Sequence, residues 1–234
     1  MHVYDLSLPL DENTQLYPGS SCIVCEKSGT LERDGYNVVT LTLGSHSGTH
    51  IDVPYHFVAD GKTTDKVDLG ELVGPAGVID LSSAAMEPRT RITWKDFVNA
   101  GIDNLLGHET KCRIVLVHTG WQRFYQTLKY NDHPFFDNEI AENLLKRGVR
   151  VFGVDTLSPD ETPPAKIEDF VIHNTLLGAG AMIIENLTNL ESLLPPKLNL
   201  KSNERIHVSL LPLAITGGDG SPIRAAAWVQ EDHA

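Results

Sequence analysis

Short apolar runs that are rich in β-branched residues recur along the chain, and amphipathic patterns lie between several of them. Each run has the length of a strand and turn-forming residues at its ends, which is typical of strands buried on at least one face. Strands that alternate with helical patterns predict a mixed α/β fold, although the pattern leaves the strand order open. The predicted strands are 36–43, 77–81, 113–117, 150–154, 181–184, 205–211 and 223–229.

Three segments have the pattern of a helix. The segment 93–100 begins with a threonine, a residue type that caps helix N-termini. The segment 138–147 has apolar residues on one face and ends before Gly148, and glycine is the usual residue just after a helix. The third segment, 167–177, precedes a Gly-Ala-Gly sequence.

The segment 45–57 holds three histidines and an aspartate, all at even-numbered positions, whereas Ile51, Val53, Tyr55 and Phe57 stand at odd-numbered ones. Pro54 argues against a helix, so the segment is predicted to be extended, with residues two apart on one face. Imidazole and carboxylate ligands suit zinc, iron or manganese, so this face predicts a metal site whose reverse side lies in the core. The polar face is predicted to hold His46, Gly48, His50, Asp52, Pro54 and His56. The opposite face is predicted to hold Ile51, Val53, Tyr55 and Phe57.

The composition, 41% hydrophobic and 21% charged over 234 residues, is that of an ordinary globular protein with one substantial core. No linker, repeat or low-complexity stretch divides the chain, so we expect one domain over residues 1–234. The formal net charge of −12 argues against nucleic acid as a partner, because phosphate binding depends on clustered Lys and Arg. A small molecule is the expected partner.

The chain shows no sign of a membrane or secretory segment. No apolar run approaches the roughly 18 residues that a membrane span needs, and the first residues lack the basic and apolar regions of a signal peptide. Cys22, Cys25 and Cys112 form no second pair around the Cys-x-x-Cys spacing, so they are predicted to be free thiols. These observations predict a cytoplasmic protein.

Two distal residues are further candidate metal ligands. Glu185 ends a buried apolar run, where a charge is costly unless it is paired or bound to metal. His173 lies near the middle of the third predicted helix, among apolar residues. A salt bridge for Glu185 and a structural role for His173 are the alternatives from the residues alone.

The segment 46–56 matches the pattern H-x-G-T-H-x-D-x-P-x-H at all seven fixed positions. It resembles the signature of the cyclase-like metal-dependent hydrolases, which include bacterial kynurenine formamidases and isatin hydrolases. The likeness continues through 72–80, 185–190 and 220–225, and so covers nearly the whole chain. It implies a three-layer β/β/α fold of the swivelling type, with a mixed, barrel-like sheet, and a homodimer or higher homo-oligomer.

The resemblance also implies a role for each candidate residue. His46, His50 and Asp52 would bind the first metal, Asp52 and Glu185 would bridge to a second, and His173 would bind that second ion. His56 would be the unligated proton shuttle. Some isatin-hydrolase-like members carry a single manganese, so the resemblance leaves open one or two ions of zinc or manganese.

The resemblance implies hydrolysis of an amide-type C–N bond in an aryl formamide or a cyclic lactam by the metal and a histidine. A divalent ion lowers the pKa of water and polarises a carbonyl, while His56 would act as general base and then general acid, typically worth 10²–10⁴-fold in rate. Tyr17, where kynurenine formamidases carry Trp, and Phe57 are the predicted substrate-binding residues, because aromatic rings can stack on a planar substrate.

Three alternatives remain at this stage. A lactone hydrolase would use the same attack on a carbonyl. A 2-His-1-carboxylate Fe(II) oxygenase would use His50, Asp52 and His173, but it would leave His46, His56 and Glu185 unexplained. A metal-stabilised binding protein would have no use for His56 as a spare base.

Overall fold

The structure is a computed structural model, and it describes residues 1–85, 87–106, 112–163 and 170–231. Within these ranges the strands are β1 (Val3–Asp5), β2 (Val24–Gly29), β3 (Val38–Thr42), β4 (His50–Asp52), β5 (Val73–Asp80), β6 (Arg91–Ile92), β7 (Ile114–His118), β8 (Phe135–Phe136), β9 (Val151–Val154), β10 (Met182–Glu185), β11 (Glu204–Ser209), β12 (Gly220–Pro222) and β13 (Ala226–Glu231). The helices are α1 (Leu31–Asp34), α2 (Trp94–Asn99), α3 (Ile102–Leu105), α4 (Asn138–Lys146) and α5 (Val171–Gly178).

Nine of these strands form one mixed sheet in the order β1-β13-β11-β5-β7-β9-β10-β4-β12. The central strands β5, β7, β9 and β10 are parallel to one another, whereas the strands on both sides of them pair antiparallel. The sheet curls into a half-barrel with helices packed against it. The predicted α/β fold with a mixed, barrel-like sheet is therefore confirmed.

Two apolar cores lie on the two faces of this sheet. Helices α2, α4 and α5 contribute buried side chains such as Phe97, Leu144 and Leu176 to one core. The other core joins Ile51 and Val208, together with further side chains from the antiparallel parts of the sheet. The parallel centre of the sheet is thus the middle layer between the helices and the antiparallel parts of the same curled sheet, which agrees with the predicted β/β/α order.

The predicted elements correspond closely to those observed. All seven predicted strands are present, as β3, β5, β7, β9, β10, β11 and β13. Helix α2 begins after a capping box in which Thr93 N–H donates to the carboxylate of Asp96 at 2.8 Å. Helix α4 is followed by Gly148 in the left-handed conformation (φ 83°). The start of the third predicted helix falls partly outside the described residues, and α5 begins at Val171.

The prediction of one extended segment over the histidine-rich motif is wrong. Only β4 is extended, because Gly48 turns the chain with φ 62° and Pro54–His56 forms a 3₁₀ turn. Proline is favoured at the start of such a turn, since its missing N–H has no partner there. Tyr55 is therefore 42% exposed instead of buried, whereas Ile51 and Val53 are buried as predicted.

No helix within the described residues combines the length and the apolar character that crossing a membrane requires.

Strand β12 was not predicted from the sequence, although it pairs with β4 and forms one edge of the large sheet. Its three residues are too few for a periodic pattern.

Candidate metal centre

Three elements bring the predicted ligands together. His50 and Asp52 lie two residues apart on β4, so their side chains leave the same face of the sheet. The antiparallel neighbour β10 places Glu185 opposite His50. Helix α5 places the imidazole of His173 beside the carboxylates of Asp52 and Glu185. Residues more than a hundred positions apart in the chain thus meet because β10 pairs with β4.

Imidazole nitrogens and carboxylate oxygens alternate around this point. His50 Nε2 lies 3.3 Å from an oxygen of Asp52 and 3.3 Å from an oxygen of Glu185. His173 Nε2 lies 3.4 Å from the other oxygen of Asp52 and 3.3 Å from the other oxygen of Glu185. All four residues are buried. His173 and Glu185, which are distant from the motif in sequence, are therefore brought into the same cluster as Asp52.

The two remaining histidines of the motif lie on the side of Asp52 that faces the cavity. His46 Nδ1 is 2.6 Å from Asp52 Oδ1. The His46 and His56 rings stack with their centroids 3.9 Å apart, although His56 belongs to the 3₁₀ turn and not to a strand. A turn therefore places His56 at the cluster, and the alternation of side chains along a strand does not explain its position.

The buried polar atoms of this cluster fit a divalent metal. His50 Nε2, Asp52 Oδ2 and Glu185 Oε1 are buried, and none of them makes a hydrogen bond of good geometry, although an oppositely charged atom lies 3.3–3.4 Å from each. Leaving such atoms unpaired is costly, so their convergence points to a cation that they would share. His50, Asp52 and Glu185 form one group of closely spaced donor atoms, and His46, Asp52 and His56 form a second. Nitrogen and carboxylate donors in this number suit zinc or manganese.

The pKa values of the buried histidines indicate that a bound metal would replace protons. Burial alone would lower the pKa of His50, but the carboxylates of Asp52 and Glu185 raise it to about 10. Burial likewise opposes protonation of His173, yet the nearby carboxylates of Asp160, Asp52 and Glu185 raise its pKa well above the usual range. Without metal, protons therefore balance the buried carboxylates, and a bound cation would take their place.

His56 has the opposite character. Burial is the largest influence on its pKa and lowers it, because desolvation disfavours the charged ring; the charge of Asp52 raises the pKa, and the charges of His46 and His173 lower it. The ring is therefore neutral near pH 7 and able to accept a proton. Since His56 lines the same cavity as the donor cluster, a proton acceptor stands beside the candidate metal site.

Two aspartates that sequence reasoning missed hold the outer nitrogens of the histidines. Asp160 accepts a 2.6 Å hydrogen bond from His173 Nδ1, and Asp219 lies 2.9 Å from His46 Nε2. His50 uses a backbone partner instead, the carbonyl of Gly48 at 2.9 Å. Metal-binding histidines usually donate their second nitrogen to such a partner. Neither aspartate stands in a spacing that marks it, and Asp219 adjoins only the weak Gly-Ser-Pro motif.

A cavity of about 270 Å³ opens above the cluster. The predicted substrate-binding residues Tyr17 and Phe57 both line it, together with Leu157 and Phe170. Phe57 also stacks on the ring of His173, with centroids 4.9 Å apart. Polar donors on the floor of an apolar cavity are typical of metal-dependent enzymes that act on small molecules.

Comparisons with known proteins agree with this class. Residues 4–161 match the model of the Cyclase family, which is described as "Putative cyclase". A kynurenine formamidase of Bacillus cytotoxicus is 34% identical over 222 residues, which cover 94% of this chain and 94% of that protein.

Solved structures give the same relationship. Isatin hydrolase A from Ralstonia solanacearum superposes with a TM-score of 0.82 at 25% identity, covering 98% of this chain and 92% of that chain. A crystal structure of an isatin hydrolase bound to the product analogue thioisatinate gives the same values. The chain therefore belongs to the cyclase family, as its histidine motif indicated.

Proposed function

We propose that this protein hydrolyses the C–N bond of an aryl formamide or a cyclic lactam with the help of a divalent metal. The observation that carries the proposal is the convergence, in an apolar cavity, of three buried nitrogen and oxygen atoms that make no hydrogen bond of good geometry. The class, an enzyme that hydrolyses C–N bonds other than peptide bonds, is that of its kynurenine formamidase and isatin hydrolase relatives. The proposed ligands are His46, His50, Asp52, His173 and Glu185.

The protein's own residues would perform the remaining steps. A bound divalent ion would lower the pKa of water and polarise the substrate carbonyl. His56, neutral and at the cavity, would take a proton from water and deliver it to the departing nitrogen. Tyr17 and Phe57 would pack against the substrate ring, because aromatic faces favour planar partners.

A hydrolysis screen tests the proposal. Protein loaded separately with zinc and with manganese is assayed on N-formylkynurenine, isatin and a simple lactone, and the metal content of each preparation is measured. We expect turnover of the formamide or the lactam, and none by a His50→Ala variant prepared in the same way. Turnover of the lactone alone would replace amide hydrolysis with lactone hydrolysis. Turnover of none by metal-replete protein would contradict the proposal.

We also propose that the protein forms a homodimer through the hairpin made by β2 and β3. This hairpin is a separate two-stranded sheet, and Val39 and Leu41, which share one of its faces, are 54% and 53% exposed. An isolated hairpin is marginally stable in water, and a patch of exposed apolar residues usually marks an interface. A second copy of the chain would cover this patch.

Sedimentation of the wild type and of a Val39→Asp/Leu41→Asp variant tests the dimer. We expect a species twice the 25.7 kDa chain mass for the wild type and a folded monomer for the variant. A wild-type monomer at micromolar concentration would contradict the dimer.

The remaining expectations belong to the same proposal. One domain over residues 1–234 is supported by a sheet that takes strands from both ends of the chain. A cytoplasmic location is supported by three free cysteines, because disulfides are rare in reducing compartments.

A further inference from the structure

Asp219 reaches the candidate metal centre from a loop that other residues hold in place. The loop leads into β12, whose Gly220 pairs with Asp52, and the backbone carbonyl of Asp219 accepts a hydrogen bond from Val53 N–H at 3.2 Å. Thr64 N–H donates to the carbonyl of Gly218 at 2.9 Å on the other side. The backbone of Asp219 is therefore fixed beside β4, and its side chain has a defined position.

The carboxylate of Asp219 faces two histidines at once. Ser45 Oγ donates to one carboxylate oxygen at 2.8 Å. The other oxygen lies 2.9 Å from His46 Nε2 and 3.4 Å from His56 Nδ1. Because the two imidazoles stack, a single oxygen can lie close to both of them. Ser45 orients the carboxylate so that this oxygen points to the pair.

His46 has a second carboxylate partner besides Asp219, whereas His56 has none among the described residues. His46 lies between two carboxylates, since its Nδ1 is 2.6 Å from Asp52 and its Nε2 is turned to Asp219. Its ring is also confined by Gly220, where a Cβ would come within 2.6 Å of the ring. For the imidazole of His56, Asp219 is the one hydrogen-bonding or ion-pair partner found within the described part of the chain.

We infer that Asp219 is a positioning residue that orients His46 toward the metal and His56 toward the reacting atoms. An N–H of His56 directed at the carboxylate leaves the other ring nitrogen free to accept a proton, and the same oxygen fixes the outer nitrogen of His46. The role of His56 in this inference rests on the proposed hydrolysis, whereas the role of His46 requires metal binding alone.

Two variants separate this role from a merely structural one. Asp219→Ala removes the carboxylate, and Asp219→Asn keeps its volume and one acceptor oxygen in case the alanine variant does not fold. The matched control is Asp65→Asn, because Asp65 accepts a hydrogen bond from Gly217 N–H in the same loop but contacts no histidine. Zinc affinity is measured by competition with a chromogenic chelator, and folding by thermal denaturation.

We expect Asp219→Ala to weaken zinc binding by about 10–100-fold and to lower kcat at saturating zinc by a similar factor, as outer partners of metal ligands do. Asp219→Asn should change both in the same direction by less. Asp65→Asn should stay within about twofold of the wild type in both. Wild-type zinc affinity in Asp219→Ala, or equal losses in Asp65→Asn, would overturn the inference.

A double-mutant cycle tests the action through His56. If Asp219 orients His56, adding Asp219→Ala to His56→Ala should lower kcat at saturating zinc by less than about twofold. If the losses of kcat in the two single variants multiply in full in the double variant, the role of Asp219 at His56 is overturned. If the wild type hydrolyses none of the three substrates, the proposed function fails, and the zinc affinities still decide the role at His46.

Discussion

Each imidazole of the donor cluster uses its two nitrogens differently. His50 and His173 turn Nε2 to the carboxylates of Asp52 and Glu185, while their Nδ1 atoms donate to a fixed acceptor in the protein. A ring held in this way cannot rotate away from the site, and once a cation displaces the proton on Nε2, the remaining proton stays on Nδ1. The cluster is therefore arranged to receive a cation with little rearrangement.

His56→Ala should abolish proton transfer and leave the metal site intact. His56 is a neutral ring beside the cluster, so its loss should lower kcat by about 10²–10⁴-fold, as expected for general acid–base catalysis. Metal content and melting temperature should stay close to those of the wild type. The measurements are metal stoichiometry, thermal midpoint and turnover on one preparation. A metal-replete, folded variant that turns over at the wild-type rate would contradict this role, and simultaneous loss of metal would make His56 a ligand.

At this scale, the sequence predicts the donors and not the residues that hold them. His46, His50 and Asp52 could be found because they share one short motif, and Glu185 because a charge ends a buried strand. Asp160 and Asp219 reach their histidines from loops, and a hydrogen bond between distant loops has no periodicity or spacing. Only the folded chain shows which carboxylate lies behind which ring.

Among the elements, the 3₁₀ turn Pro54–His56 sets the position of the proposed proton shuttle. Tyr55 N–H in the turn donates to the carbonyl of Lys62 at 3.1 Å, so the chain must fold back closely. Gly61 permits this approach, because a Cβ there would come within 2.5 Å of the backbone of Pro54 and Tyr55. The alternating pattern of the motif could not predict such a turn.

Gly61→Ala should therefore displace the turn and lower both activity and stability. The contacts are with backbone atoms, which cannot rotate away. We therefore expect the free energy of unfolding to fall by about 1–3 kcal/mol and kcat at saturating metal to fall as well. Gly178→Ala is the matched control, since a Cβ at the end of α5 meets no atom within 4 Å. Thermal denaturation and turnover check both variants. Equal behaviour of the two would show that the turn tolerates displacement.

At the scale of the whole molecule, strand order decides which residues meet. Local patterns predicted the strands and helices well, because burial imposes a period on each element. Pairing of β4 between β10 and β12, which creates the site, is a contact between distant parts of the chain and leaves no local pattern. The family resemblance supplied the barrel-like sheet, and the residues alone could not.

The same assembly links the stability of the whole molecule to pH and metal. The pKa of His50 is about 10 in the folded protein and about 6.5 in an unfolded chain, so the folded state binds more protons between these values. His173 is shifted in the same direction. The binding of these protons contributes fully to the free energy of unfolding below about pH 6.5, and this contribution is lost as the pH rises toward 10. The carboxylates and His56 have lowered pKa values, and their contributions change at lower pH.

Metal-free protein should accordingly lose thermal stability between about pH 6.5 and 8.5, while zinc-loaded protein should lose much less, because the ion replaces the protons. Free zinc at 100 times the Kd that applies at about pH 6.5 should add about 2.7 kcal/mol there. At the same zinc concentration the gain should grow with pH, because the apparent Kd falls as the competing protons leave. Thermal melts with chelator and with zinc at several pH values measure both effects. In a His50→Ala variant the pH dependence of the metal-free protein should be flatter. Parallel curves with and without zinc would show that the ion binds elsewhere, because a ligand that displaces no protons leaves the pH dependence unchanged.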